Sequence, residues 1–513
     1  MNQGRLLTGL PVGKSSYFCS MKTQKNTRIC RNTFLLIAAF FISLVINAQQ
    51  IASGGLPVPK NIIIMIGDGM GFNHIKATNY YDGVASRDYE QFPVRLAMAT
   101  YPAKAGEYEA GNLASNFFAT GYNTVAAWSD TSYLKKNYTE SAAAGTALAT
   151  GKKTYNNSIG ISVNGDTLVN LVQRAKMLGK SAGVVTTVPF SHATPAGFVA
   201  HNATRVNYSQ IAYEMILKSR CDVIMGCGNP MYDNDGKPVK GSWKNSKYVG
   251  DSAFWVSFLN GSGLQTTFTT RQGLQTVSDI DGDGKADPWH VIRDTNEFRK
   301  LASGFAPKRV FGCPNVYSTL QNGRTALNGE NKESAPCVNP LIPGVPTLAE
   351  MVKGALNVLD NNRKGFFLMV EGGGIDWASH SNQKGRVIEE MRDFNDAIAA
   401  VISWVEKSGS WDETMVIVTA DHETGLLWGR NPYDPLEDRG KGNLPGMRFF
   451  SGDHTNSLVP FYAMGKGSEL YHLMADEVDS VRGPYLQNAE MAALIKLLWH
   501  TPEGQGRGNN KGW

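Results

Sequence analysis

The sequence predicts an α/β fold, a three-layer sandwich with a mainly parallel central sheet plus an irregular insertion. Two observations carry that prediction. Four short apolar runs, residues 61–66, 181–187, 366–370 and 415–420, read as strands buried on both faces. Each is followed by Gly, Asp, His or Thr and then by a helical pattern, and alternation of strand and helix is the signature of an open parallel sheet.

Taken in order, residues 1–48 hold six bases and no acid, followed within that leader by a 13-residue apolar run from Phe34 to Ile46. With Asn47-Ala48-Gln49 this reads as a secretory signal cleaved after Ala48. Met21 is as good a start as Met1, because the basic region a signal needs begins at Lys22. The run is shorter than the ~20 residues of a membrane span, and no later stretch reaches that length. An exported protein, periplasmic or extracellular and without a span after signal removal, is expected. The formal charge of +5 also comes from the leader, since the remaining 465 residues carry 44 bases against 45 acids. A near-neutral folded part gives no nucleic-acid binding surface. A length of 513 residues with 42% hydrophobic side chains excludes disorder and collagen.

The α/β domain is expected over residues 55–500, and the Gly/Asn-rich 501–513 as a disordered tail. Two helices are well signalled. Thr347 and Glu350 match a capping box opening a helix through Leu359. Val387, Met391, Phe394, Ile398, Ile402 and Val405 form one apolar stripe at helical spacing. Between about 208 and 346 the alternation loosens into Gly, Ser, Asn, Asp and Trp, which reads as an insertion. Cys221, Cys227, Cys313 and Cys337 remain after signal removal, an even number in an oxidising compartment, and allow three pairings. Cys221 and Cys227 on one strand would lie ~20 Å apart, beyond the ~7 Å Cα limit, so that pairing is disfavoured. Four unbonded thiols are the alternative.

In open α/β sheets ligands bind at the carboxyl ends of strands. Here those positions carry Asp68 in a glycine-rich turn, His192 and Thr194, Glu371 with Asp376 and His380, and Asp421 with His422. Asp376 and His380 are four apart, on one face of a helical turn, and can share a cation. Capping explains single acids but not the imidazoles. The mixture suits Zn²⁺ beside a harder ion. Ser141 opens the small-residue segment Ser141-Ala-Ala-Ala-Gly145, whose first helical turn would aim its amides and dipole at whatever Ser141 attacks.

The ordered set Ile66-Gly-Asp68-Gly, Glu140-Ser141-Ala-Ala, His192-Ala-Thr194-Pro, Glu371-Gly-Gly-Gly-Ile-Asp376 through His380, Thr419-Ala-Asp421-His422 and His454-Thr455 resembles the alkaline phosphatases from about Lys60 to Gly465. The resemblance implies two zinc ions, one on Asp376, His380 and His454 and one on Asp68, Asp421 and His422, with magnesium on Asp68, Thr194 and Glu371. It implies that Ser141 is phosphorylated, that Arg205 clamps the phosphate of small phosphomonoesters, and that the protein forms a homodimer. Three positions depart from the common pattern. Glu140 replaces the usual aspartate before the nucleophile, His192 stands where some members have Asp, and Trp377 where some have Lys or His. The last two bear on the third metal and the pH optimum.

A second signal lies in the insertion. Asp279, Asp281, Asp283 and Asp287 supply oxygens at loop positions 1, 3, 5 and 9 with Gly284 at 6, as in calcium loops, although His290 stands where the bidentate Glu belongs. An Asp/Gly turn without Ca²⁺ is the other reading. A phosphodiesterase or sulfatase on a related fold is the second enzyme reading. Arg205 with a third ion suits a dianionic monoester, and a sulfatase's modified residue lacks its context here. A non-catalytic, calcium-dependent binding protein rests on the Asp279 loop alone.

Overall fold

The computed structural model describes residues 55–103, 121–239, 243–408 and 411–500. The expected leader and tail lie outside the described residues. Eleven strands form the central sheet: β1 (Asn61–Ile66), β2 (Val94–Ala99), β3 (Ser181–Pro189), β4 (Val223–Cys227), β5 (His290–Ile292), β6 (Val310–Gly312), β7 (Phe366–Glu371), β8 (Thr414–Thr419), β9 (Val459–Gly465), β10 (Glu477–Asp479) and β11 (Gly483–Gln487). Their spatial order is β10-β11-β2-β9-β8-β1-β7-β3-β4-β6-β5. The run from β8 to β5 is parallel throughout, while β9 and β10 run against their neighbours. The unbroken Ile-Ile-Ile-Met-Ile of β1 is fully buried, as a strand with helices over both faces requires.

Eight helices position the site: α1 (Phe72–Asp82), α2 (Ser141–Thr150), α3 (Leu171–Met177), α4 (Ala193–Val199), α5 (Leu348–Leu359), α6 (Gly374–His380), α7 (Lys384–Ser408) and α8 (Asn488–Leu498). They fall into two groups, α2 and α3 with α4 and α8, and α1, α5 and α6 around α7. Thr347 caps α5, its Oγ1 accepting from Glu350 N at 3.2 Å, and the predicted stripe of α7 is buried. None of the described helices is long and apolar enough to cross a membrane.

The 208–346 segment, expected as an insertion on the same domain, supplies β4, β5 and β6 to the central sheet. Strands of five, three and three residues are too short to show a period among the loops around them. One expectation is corrected: the cysteines do not pair. Cys221, Cys227 and Cys313 are buried free thiols and Cys337 an exposed one. The buried three act as small apolar side chains beside β4 and β6, with Cys227 Sγ donating to Thr187 O.

Glycines let α2 and α4 approach closely. A Cβ on Gly197 would stand 2.9 Å from the Gly145 carbonyl carbon and 3.0 Å from Thr146 N. Because α2 begins at Ser141 and α4 carries Thr194, this contact fixes the spacing between two site residues. Replacing Gly197 with Val is expected to lower stability by ~1–3 kcal/mol, measured by urea unfolding, because backbone must move to admit it.

Candidate metal and phosphate site

The candidate ligands Asp68, Thr194, Glu371, Asp421 and His422 gather at the carboxyl ends of four adjacent strands, β8, β1, β7 and β3, with Asp376 and His380 on the helix that follows β7. Asp68 follows β1, Glu371 closes β7, Asp421 and His422 follow β8, and β3 leads to His192 and Thr194. Gly69 makes the turn after β1 at φ +74°, where a Cβ would lie 2.8 Å from Thr424 Oγ1 and 3.0 Å from Asp376 Cα. His454 arrives by a separate device. The two-residue strands Glu423–Thr424 and His454–Thr455 pair antiparallel, opposing Thr424 to His454, and so stack the His454 ring on His422 with centroids 3.6 Å apart.

The imidazoles all turn one nitrogen inward. His454 Nδ1 faces Thr139 O at 2.9 Å and His380 Nδ1 faces Gly452 O at 2.6 Å. Carbonyls only accept, so each Nδ1 carries the proton and donates. Thr424 Oγ1 donates to Asp376 Oδ1 at 2.6 Å, leaving its lone pair for His422 Nδ1 at 3.3 Å. The Nε2 atoms therefore face the acids. His422 Nε2 lies 3.2 Å from Asp421 Oδ2 and 3.5 Å from Asp68 Oδ1. His380 and His454 Nε2 are 3.1 Å apart, at 3.4 and 3.5 Å from Asp376 Oδ1. Backbone carbonyls and a threonine that fix the outer nitrogen while the inner one converges with carboxylates are typical of metal-ligating histidines.

The acids test the fit for cations directly. Both carboxylate oxygens of Asp68, Glu371 Oε1, Asp421 Oδ2 and Thr194 Oγ1 are buried without a hydrogen-bond partner. Buried, unpaired oxygens are costly unless something positive sits among them. Burial, reinforced by Asp421, Asp376 and Glu371, raises Asp68 far above the carboxylate range. Burial also pushes Glu371 to about 7, and with Asp376 pushes Asp421 to about 6. For Asp376 the imidazoles of His454, His380 and His422 override burial and hold it well below its usual value. His454 shows the converse: burial opposes its charge, but Asp376 raises it to about 9. Asp376, His422 and His454 form one group that could hold an ion and Asp68, Asp421 and His422 another, carboxylate with imidazole as zinc prefers, while His380 reaches the first through His454 and Asp376. The unpartnered oxygens of Asp68, Thr194 and Glu371 suit a harder ion such as magnesium.

Ser141 Oγ stands 3.3 Å from His422 Nε2 at the start of α2. One expectation fails here. The amides of Ala142 and Ala143 do not face the cavity, because they donate to Glu140 Oε2 and Oε1 at 3.0 and 2.8 Å. The Glu140 side chain is long enough to fold back over the helix end while also accepting from Asn157 N and pairing with Arg205 NH1. Arg205 NH2 donates to His192 Nε2 at 3.2 Å. Burial and the Arg205 charge lower His192 to about 3, so its ring is neutral and Nδ1–H is a buried donor without a partner. Trp377 covers that ring with centroids 5.6 Å apart. Tyr138, Ser141, Arg205, Trp377, His380, Asp453 and His454 line an open cavity of about 540 Å³.

The acidic loop stands apart. Asp279, Asp281 and Asp287 could hold a cation together, but Asp283 is not in that group. Lys308 Nζ bridges Asp281 and Asp287 at 2.6 and 2.5 Å, so calcium would have to displace an ammonium group. Among residues the sequence reading passed over, Thr186 donates to Glu371, and Glu423 ties Thr455 to the amides of Leu426 and Leu427. For Glu423 and Thr455 the available signal was adjacency to His422 and His454, whereas Thr186 meets Glu371 only through strand pairing.

Fold and site together define an open-sheet α/β protein with candidate metal-ligand groups at its strand ends and a serine hydroxyl beside them. Residues 59–488 match the family model described as alkaline phosphatase. Alkaline phosphatase 4 of Bacillus subtilis is 32% identical, over 71% of this chain and 62% of that protein, so the chain spans less than two thirds of its length. Alkaline phosphatase of Escherichia coli is 30% identical, over 71% and 70%. The chain belongs to the alkaline phosphatase family. The structure of alkaline phosphatase from the Antarctic bacterium TAB5 superimposes with a TM-score of 0.56 over 86% of this chain and all of that one, at 23% identity, a likeness of fold.

Because cations compete with protons for these ligands, metal affinity is expected to rise with pH from 6 until His454 is deprotonated near 9, and then level off. Adding Zn²⁺ to stripped protein should release more protons at pH 7 than at pH 9.5, read with an indicator dye.

Proposed function

We propose that this chain is a metal-dependent phosphomonoesterase that works through a phosphoserine on Ser141. The observation that carries the reading is the position of Ser141 Oγ, 3.3 Å from His422 Nε2 and in the wall of the cavity that Arg205 shares. The names of its relatives support the same chemistry. Asp376, His380 and His454 would hold one zinc, Asp68, Asp421 and His422 the other, and Asp68, Thr194 and Glu371 magnesium. A mutant of the TAB5 alkaline phosphatase is described with Mg bound in its M3 site. Bound ions of this kind supply Lewis acidity, lowering the pKa of a serine hydroxyl and offsetting charge on the oxygens of the transferred group.

The chain's own residues do the positioning. Arg205 presents a planar fork to two phosphate oxygens, a geometry lysine lacks. Glu140 holds that fork by one nitrogen and anchors it to α2, which also carries Ser141, so clamp and nucleophile move as one body. Ser141 Oγ forms a bond to phosphorus as the bond to the leaving oxygen breaks in line. Water then attacks phosphorus, the Ser141 bond breaks, and inorganic phosphate is released. The open cavity leaves room for varied leaving groups. Export to the periplasm or cell exterior, read from residues 1–48, belongs to the same proposal.

Hydrolysis of an aryl phosphate and a bis-aryl phosphate, compared before and after chelation alongside metal content, tests class and cofactor together. The monoester should be strongly preferred and its turnover lost with the metal. Ser141→Ala should lower kcat by ~10³-fold or more while phosphate still binds. Arg205→Ala should weaken phosphate binding by ~10–100-fold, the loss of charged hydrogen bonds worth ~1.5–3 kcal/mol. Full turnover in Ser141→Ala would defeat the reading.

A further inference from the structure

His74 lies on α1, outside every motif that identifies the site, and it is completely buried. Its two ring nitrogens join two separate pieces of the metal cage. Gly71 N–H donates to Nδ1 at 3.1 Å, so Nδ1 is an acceptor and the ring proton sits on Nε2. Ser379 Oγ donates its single proton to Ile375 O at 2.8 Å. The same oxygen must then accept from His74 Nε2–H, 3.1 Å away. Burial lowers the His74 pKa to about 4, which agrees with a neutral ring. The chain Gly71 N–H to His74 to Ser379 to Ile375 thus has one consistent arrangement of protons.

Each end of this relay lies beside cation ligands. Gly71 closes the turn Gly67-Asp68-Gly69-Met70 that presents Asp68. Ser379 and Ile375 belong to α6, whose Asp376 and His380 face the other donor group. The turn also lies against α6 directly at Gly69, where there is no room for a side chain. Packing there limits approach but sets no orientation, whereas the His74 bonds fix both pieces in direction.

We propose that His74 is a positioning residue that sets the Asp68 turn against the helix bearing Asp376 and His380, and so holds the two donor groups at the spacing their cations need. The inference rests on the metal-dependent reading of this site. Partners that orient ligands from behind change metal affinity or activity by ~10–100-fold when removed.

The test compares His74→Leu, His74→Gln and Ser379→Ala in the zinc-loaded protein. Gln can accept from Gly71 N–H and donate to Ser379, while Leu fills the space and does neither. Transfer of zinc to a chromophoric chelator is followed together with kcat and KM for an aryl phosphate and with the unfolding temperature of the stripped protein. We expect zinc transfer ~10-fold faster or more and kcat reduced with KM little changed in His74→Leu, an intermediate effect in Ser379→Ala, and recovery to within a few-fold in His74→Gln. Wild-type zinc retention and kcat in His74→Leu, or equal losses in Leu and Gln, would overturn the proposal. Should His74→Leu not fold, wild-type zinc retention in Ser379→Ala overturns it equally. Zinc transfer is read without any hydrolysis, so a protein that held zinc through this relay yet cleaved no monoester would sink the phosphatase reading alone.

Discussion

The crowding of buried negative charge at the ends of four neighbouring strands is the constraint that organises this molecule. Asp68, Glu371, Asp376 and Asp421 are each at most 4% exposed, and between them they have too few donors. Only Asp376 is close enough to several imidazoles to stay ionised by itself. The other three are pushed toward their neutral forms, which is how buried carboxylates respond when nothing positive is near. A protein could reach the same fold with apolar side chains there at less cost. Unpaired acids at this depth make physical sense as cation ligands, and the parallel sheet is what brings four of them together from distant parts of the chain.

Holding them in order falls to neutral donors rather than to counter-charges. Thr186 donates to Glu371 and Thr424 to Asp376, while Gly69 N donates to Asp421 Oδ1. A hydroxyl or amide fixes one carboxylate oxygen and leaves the other free, without adding a charge that would compete with a bound ion. A lysine or arginine in any of these places would neutralise the acid outright. Lys308 does so in the 279–287 loop, where an ammonium group lies between two aspartates that a cation would need.

The strands of the sheet's centre were legible because burial on both faces leaves a continuous apolar run. Residues 61–66 are read with the observed bounds, and 366–370 and 415–420 within one residue at each end. The far edge was not legible, since β5 and β6 have three residues each and owe their pairing to neighbours remote in sequence. The site was readable as a set of ligand types placed after strands. What could not be read was direction. That Ala142 and Ala143 face Glu140 rather than the cavity follows from the reach of one methylene, and that the cysteines stay apart follows from packing around β4 and β6. His74 was invisible for a related reason: a lone histidine in a helix has no spacing to betray it, and its role depends on Ser379, 305 positions away.

Charge in the cavity wall bears on the binding of phosphate itself. The lining carries Glu140, Asp376 and Asp453 against Arg205, and one arm of Arg205 is already committed to Glu140. His454 adds positive charge only by pairing with Asp376. His192 adds none, because burial beside Arg205 keeps it neutral. The wall without cations is therefore balanced toward the acids, and a dianionic monoester would meet repulsion from more groups than attract it. Two or more divalent ions would reverse that sign at the depth where the orphaned oxygens lie. On the proposed reading, recognition of the substrate and activation of Ser141 would then depend on the same charges, which is why a single arginine would suffice.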